Sequence, residues 1–399
     1  MKIKNLHIKE FKGLRDISIN FEKNDKPLDL VVLAGSNGSG KTRILESILD
    51  YFQKIINHTE NKNVAGVFFE TDEQNCLNQG YDSNMLYLIL NYYNDENNVE
   101  RGRKVVEENL KVFPKIIYVP TETNFQKVEI ASPMLVREYK FLNIVDTGLI
   151  KDVPSYIATK IIEMANDQED TPMQEIRTAV FKEINEIFEI LDLDIKISGI
   201  SKNAKSIPIF TNSSGDKFDI NELSSGEKQL FLRTLAIRML NPENSIILID
   251  EPELSLHPKW QQRIVDVYRK IGKNNQIIIA THSPHILGSV KKENIMLLDK
   301  DDEGKIVIKT GDELYDSYGQ PTDRILEDIM GLKTTRNQEI FDKLEKIKEM
   351  VNEDKYETDD FKKEYGDLKE ILGTMDEDIM LIDMEIQIRR KGLKNVKNK

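Results

Sequence analysis

Gly35-Ser36-Asn37-Gly38-Ser39-Gly40-Lys41-Thr42 constrains this chain more than any other segment of it. The run fits G-x-x-x-x-G-K-[ST], the pattern of a phosphate-binding loop. Upstream, Leu28–Leu33 is a mostly apolar run of strand length; downstream, Ile44, Leu45, Ile48, Leu49, Phe52, Ile55 and Ile56 recur at helical spacing. A plain glycine-rich turn has no need of that context. Strand, glycine loop and helix in this order let successive N–H groups and a helix N-terminus converge on phosphates. On this reading residues 35–40 cradle the phosphates, Lys41 neutralises the β- and γ-phosphates, and the Thr42 hydroxyl ligates Mg²⁺. ATP and Mg²⁺ are the implied substrate and cofactor.

Two further apolar runs end in groups suited to the same chemistry. Ser245–Ile249 is followed by Asp250 and Glu251. Adjacent acids after an apolar strand suit a parallel sheet whose carboxyl edge carries the site. Asp250 is expected to hold Mg²⁺ and Glu251 to orient and polarise the attacking water. Gln276–Ala280 leads to Thr281 and His282, and His282 at such an edge can donate to the γ-phosphate.

Asn221-Glu222-Leu223-Ser224-Ser225-Gly226-Glu227 decides the class. Serine and glycine at a helix start make an anion site, but no lysine follows at the P-loop position. The segment resembles the signature motif of ABC-type ATPases, usually Leu-Ser-Gly-Gly-Gln; Ser225 and Glu227 depart from it. That resemblance implies a homodimer in which Ser224, Ser225, Gly226 and Glu227 of one subunit cover the γ-phosphate held by the P-loop of the other. Phe11–Leu14, Asp250–Pro258 and Ala280–Pro284 resemble the RecF, SMC and OLD-type branch and not the transporters. In that branch Ser255–Pro258 is expected to form the loop that meets the partner. The family also implies a nucleotide-sensing glutamine, for which Gln126 is the candidate and Glu122 the rival.

Tyr318–Gly331 carries a narrower resemblance, to stand-alone prokaryotic AAA-family ATPases that include the PtuA-type ATPases of Septu anti-phage systems. It implies a defence switch that controls a separate HNH-type nuclease. A RecF/SMC-like DNA-repair or chromosome-maintenance ATPase that binds DNA directly is the competing reading. The histidines (His7, His58, His257, His282, His285) show no zincin or HNH spacing, and no TOPRIM-like acidic pattern follows His282, so this chain is not expected to cut nucleic acid itself.

Cys76 is the single cysteine, which excludes a disulfide framework within the chain and fits a reducing compartment. No apolar run approaches the ~20 residues that span a bilayer, and the start of the chain has no signal-peptide h-region. A cytoplasmic protein without membrane contact is expected. A net charge of −13 argues against a coat of nucleic acid but leaves room for a local basic groove. An assembly larger than a dimer is compatible with the sequence.

The expected fold is α/β: an ABC-type P-loop head with a mixed sheet and an antiparallel lobe, a helical insertion and a helical C-terminal region. Residues 1–130 form the P-loop lobe and 131–205 the insertion. Residues 206–321 form the lobe with signature, paired acids and histidine, and 322–399 the helical end. Period-two alternation in residues 2–9 and 16–21 predicts an antiparallel pair turning near Lys12-Gly13. Strands are also expected at 67–69, 85–90, 115–119, 194–200 and 207–210, and a hairpin at 294–309. From about 133 to 192 the period turns helical, with a capping-box start at Thr171–Gln174. Ile340, Leu344, Ile347 and Val351 form an apolar stripe, and the basic tail from Arg389 reads as frayed.

Overall fold

Alternation at the start of the chain becomes a hairpin of β1 (Asn5–Phe11) and β2 (Leu14–Asn20), paired from Asn5↔Asn20 to Phe11↔Leu14. Its turn is Lys12-Gly13, with φ of 46° and 87°, the two left-handed residues that suit a right-twisted hairpin. A computed structural model of the chain describes residues 1–56, 114–121, 140–201, 207–301 and 303–397. The strands expected at 67–69 and 85–90, Gln126 and Glu122 lie outside the described residues. The described chain forms two units, Met1–Ile325 and Leu326–Lys399.

In the first unit, β3 (Glu22–Lys23) and β4 (Lys26–Pro27) make a short ribbon before β5 (Leu30–Gly35). Helix α1 (Lys41–Ile56) follows the P-loop. β6 (Ile116–Val119) and β7 (Leu142–Ile144) come next, then α2 (Thr147–Asp167) and α3 (Met173–Phe188). β8 (Lys196–Ile200), β9 (Pro208–Thr211) and β10 (Lys217–Asp219) form a three-stranded antiparallel sheet ahead of α4 (Ser225–Met239). β11 (Ile246–Asp250) leads into short helices α5 (Pro258–Gln261) and α6 (Ile264–Arg269). β12 (Gln276–Ala280), α7 (Pro284–Leu287), β13 (Ile295–Lys300) and β14 (Ile306–Thr310) complete the head.

The central sheet has seven strands in the order β14-β13-β5-β12-β11-β6-β7, parallel except for β14 at the edge. Its inner strands β5, β6, β11 and β12 are buried along their whole length, as strands covered on both faces must be. One face packs on α1 and on the hairpin: Leu6, Ile8, Ile17 and Ile19 join Val31, Leu33, Ile44, Ile48, Leu248 and Ile278 in one core. This is the mixed sheet with an antiparallel lobe that the sequence implied, an ABC-type ATPase head.

Three local expectations need correction. Residues 142–144 are not helical but add β7 to the sheet beside β6, a three-residue edge strand too short to show a period. Pro172 is the residue before α3, and no side chain caps that helix, so the capping box at Thr171–Gln174 does not form. The basic tail is not frayed: the last helix continues to Lys397, with Arg389 tied to Glu385 and Asp354, and Arg390 to Glu357.

The second unit contains α8 (Gln338–Asn352), α9 (Asp359–Leu372) and α10 (Glu377–Lys397). The expected stripe packs inward: Leu344, Ile347 and Val351 are buried with Phe361, Tyr365, Leu368, Ile379 and Ile382, and Ile340 packs against them. Gly331 and Gly373 both take positive φ at helix ends.

Candidate functional site

Parallel pairing fixes the site by aligning strand ends. Leu33 pairs with Ala280, and Ala280 with Asp250, so the carboxyl ends of β5, β12 and β11 stand level. β6 ends beside them at Val119, paired with Ile249. Everything that leaves these four ends, the P-loop, Thr121, Asp250-Glu251 and His282, gathers on one edge of the sheet.

The P-loop is held by sterics that admit only glycine at two positions. A Cβ on Gly35, at φ +146°, would lie 2.4 Å from the Leu298 carbonyl oxygen. One on Gly40, at φ +103°, would lie 2.8 Å from Leu14 Cδ2. Lys41 Nζ is buried and donates to the Gly35 and Ser36 carbonyls at 2.8 and 3.0 Å. Burial pulls its pKa below the usual lysine value, against the pull of Glu251, Glu253 and Asp250. Ser39 Oγ is buried with no hydrogen-bond partner among the described residues. A loop whose lysine rests on its own carbonyls and whose serine is unsatisfied offers the donors that a polyphosphate would accept.

Asp250 is 2% exposed and takes hydrogen bonds from Thr42 Oγ1 at 3.0 Å and Thr121 Oγ1 at 2.6 Å. Burial raises its carboxyl above the usual aspartate value, outweighing those two donors. Thr42 and Asp250 are thus already in contact. One hydroxyl and one carboxylate are hard oxygen donors of the kind that would fit Mg²⁺. Among the described residues no cluster of three His, Cys, Asp or Glu forms a closed metal cage.

Glu251 sits at φ 44°, a left-handed conformation costly for any residue but glycine, and its N–H donates to the Ala280 carbonyl at 2.9 Å. The turn brings its carboxylate within 3.5 Å of His282 Nδ1. Sequence reasoning singled out Asp250, Glu251 and His282 but gave no role to Glu253. That residue is 5% exposed, and its Oε1 accepts from Thr281 Oγ1 at 2.6 Å and from the His282 N–H at 2.9 Å. The same oxygen lies 3.5 Å from His282 Nδ1. An acid three residues after Asp250 is the hint in the sequence, and an acidic loop would look the same.

Arg233 is the other residue sequence reasoning passed over. It is 1% exposed inside α4, and its Nη2 donates to the carbonyls of Pro120 and Thr121, both at 2.7 Å. Burial lowers its pKa in spite of nearby Tyr268, Asp250, Glu253 and Glu251. The guanidinium therefore links the helix behind the signature to Thr121, and through it to Asp250 and Thr42.

The signature occupies the start of α4. Ser224 caps the helix, accepting the Glu227 N–H at 3.3 Å, while Glu227 Oε2 accepts the Ser224 N–H at 3.0 Å, a closed capping box. Ser224 and Ser225 are exposed and Gly226 is buried. A Cβ on Gly226 would lie 2.5 Å from the Ser255 carbonyl oxygen, so the signature glycine seats α4 directly on the loop after the paired acids. Ser255 turns that loop at φ 61°.

Comparison with known proteins finds ATPase relatives. A family model described as "AAA ATPase domain" matches residues 1–169, and one described as "AAA domain, putative AbiEii toxin, Type IV TA system" matches residues 117–288. The chain is 26% identical to the Septu protein PtuA of Bacillus thuringiensis over 384 residues, covering 89% of this chain and 90% of that protein. It is 29% identical to the retron Ec83 probable ATPase of Escherichia coli over 193 residues, 48% of this chain and 34% of that protein. Among solved structures, an SMC head bound to the C-winged helix domain of ScpA matches at 16% identity and a TM-score of 0.42, covering 78% of this chain and 99% of that one. No helix among the described residues is long and apolar enough to cross a membrane. With a P-loop and paired acids on one seven-stranded head, the chain is an ATPase of AAA/ABC-like type related to the Septu PtuA and retron ATPases.

Proposed function

We propose that this ATPase is a nucleotide-dependent dimer switch of anti-phage defence that controls a separate HNH-type nuclease from the cytoplasm. The observation that carries the dimer is the exposed Ser224-Ser225 start of a 15-residue helix. Apart from the Glu227 N–H that Ser224 caps, such a terminus turns its first N–H groups and the positive end of the helix dipole towards an anion. A second copy supplies that anion as the γ-phosphate on its own P-loop. Similarity to PtuA along nine-tenths of both chains supports the defence role, and the lack of any nuclease-like histidine spacing supports a separate effector.

Each step is assigned to a residue. Lys41 exchanges the Gly35 and Ser36 carbonyls for phosphate oxygens. Thr42 and Asp250 would hold Mg²⁺, which would supply charge neutralisation at the phosphates. Glu251 orients the attacking water and takes its proton, and His282 donates to the γ-phosphate. Gln126 is the proposed nucleotide sensor.

Glu251→Gln tests the reading directly. Hydrolysis should fall by roughly a hundredfold or more, while ATP holds the chain as a dimer in light scattering. Affinity capture of that variant from its native cells should recover a nuclease in stoichiometric amount. Recovery of DNA with repair proteins and no nuclease would replace the defence reading with a RecF/SMC-like one.

A further inference from the structure

Helix α10 has two apolar faces, and the core of its own unit uses one of them. Ile379, Ile382 and Ile386 are buried against α8 and α9. Met380, Leu381, Met384 and Ile388 are 45, 62, 57 and 62% exposed. At about 100° per residue these four fall opposite the buried three. Four large apolar side chains in one stripe are costly to leave in water and mark a contact surface.

Charge placement says what covers it. The stripe is bracketed by exposed Glu377 on its N-terminal side and exposed Lys391 on its C-terminal side. Neither forms an ion pair within the chain among the described residues. Met384 is midway between Met380 and Ile388, and also midway between Glu377 and Lys391. A twofold axis through Met384 therefore sets Met380 against Ile388 of the partner subunit and Glu377 against Lys391 of the partner subunit, twice over. That is the self-complementarity an isologous contact demands. Parallel pairing would instead oppose Glu377 to Glu377 and Lys391 to Lys391, and is disfavoured.

We infer that α10 is a self-association surface, on which a second copy of this chain packs antiparallel through Met380, Leu381, Met384 and Ile388. No residue of the nucleotide site takes part, so the contact forms without ATP and is distinct from closure of the heads. Two different twofold contacts on one chain join head dimers into larger assemblies.

The test uses the full chain carrying Lys41→Ala, without nucleotide, so that head closure cannot contribute. Light scattering should give a dimer. Met384→Asp should weaken it by about a hundredfold or more, since two carboxylates would meet at the axis. Lys391→Glu alone should weaken it about tenfold, and Glu377→Lys combined with Lys391→Glu should restore it. In a Cys76→Ser background, Met384→Cys should give a disulfide-linked dimer on mild oxidation, and circular dichroism checks that each variant folds. A Lys41→Ala chain that stays monomeric, or one that fails to cross-link at Met384→Cys, overturns the proposal, as does a monomer that uses this face for a different protein. Failure here leaves ATP-driven head closure untouched, because that is read on the wild-type chain with ATP.

Discussion

Asp250 and Lys41 are ionisable groups that the site holds out of water. Burial raises the Asp250 carboxyl, so its ionised form costs the folded chain stability. The sign follows from linkage: a raised carboxyl adds stability below its unfolded value of about 3.9, and loses that contribution as pH rises through the folded value. Asp250→Asn should therefore raise the melting temperature near neutral pH, by roughly 2–4 °C for each kcal/mol relieved. The gain should shrink towards pH 4, while hydrolysis is lost; calorimetry across that range checks it, and a gain that does not change with pH would contradict it. Glu253 is the complementary case, a buried acid that orders its neighbours. Removing it as Glu253→Ala leaves the Thr281 O–H and the His282 N–H without their acceptor, at a cost of about 1–3 kcal/mol for each donor left unsatisfied. Turnover should fall roughly tenfold or more as His282 loses its place, with the ATP KM little changed. Glu253→Gln keeps an acceptor and should recover much of the stability. An alanine variant with normal turnover would reduce Glu253 to packing.

Helix α4 carries both the signature and the strut that reaches the metal-side threonine. Its first turn is capped by Ser224 and Glu227, and its third buries Arg233 against the Pro120 and Thr121 carbonyls. Arg233→Met should leave those carbonyls without their donor, costing about 2–5 kcal/mol, and should loosen Thr121 from Asp250. The expected readout is a lower melting temperature together with weaker Mg²⁺-dependent turnover; a chain as stable as wild type would show that the strut contributes nothing. Behind α4, Glu183 of α3 is shared by Lys160 of α2, at 2.7 Å, and by Arg238 of α4. Burial alone would raise the Glu183 carboxyl, but the two cations outweigh it and hold it below the usual range. This triad ties the α2–α3 pair to the signature helix. What was legible in the sequence follows from this scale. β5, β11 and β12 are continuous apolar runs ended by chemistry, and α4 begins at a serine with an acid three residues on, so periods and caps show them. β7 is three residues long, Arg233 reads as a surface cation, and Glu253 as part of an acidic loop. Their roles come from partners more than twenty residues away, which no local pattern records.

Across the whole molecule, the site is split between what one head holds and what it presents. The P-loop, Thr42, Asp250, Glu251 and His282 meet on a single sheet edge, whereas Ser224 and Ser225 face outward at the start of α4. On the proposed reading, the competence of each head depends on a second one. Saturating ATP should also raise stability, by about 2.7 kcal/mol at a hundred times its Kd, as phosphate oxygens satisfy Lys41. The most direct test of the shared site mixes two inactive chains. Lys41→Ala removes the P-loop cation; Ser225→Glu places a negative charge where the γ-phosphate would dock, yet suits a helix N-terminus and should fold. Each variant alone should hydrolyse no ATP. Mixed in equal amounts before ATP is added, they should recover about a quarter of wild-type activity. That fraction is expected because half the dimers are mixed and each mixed dimer has one site with both parts intact. A mixture as inactive as its components would contradict a site built in trans.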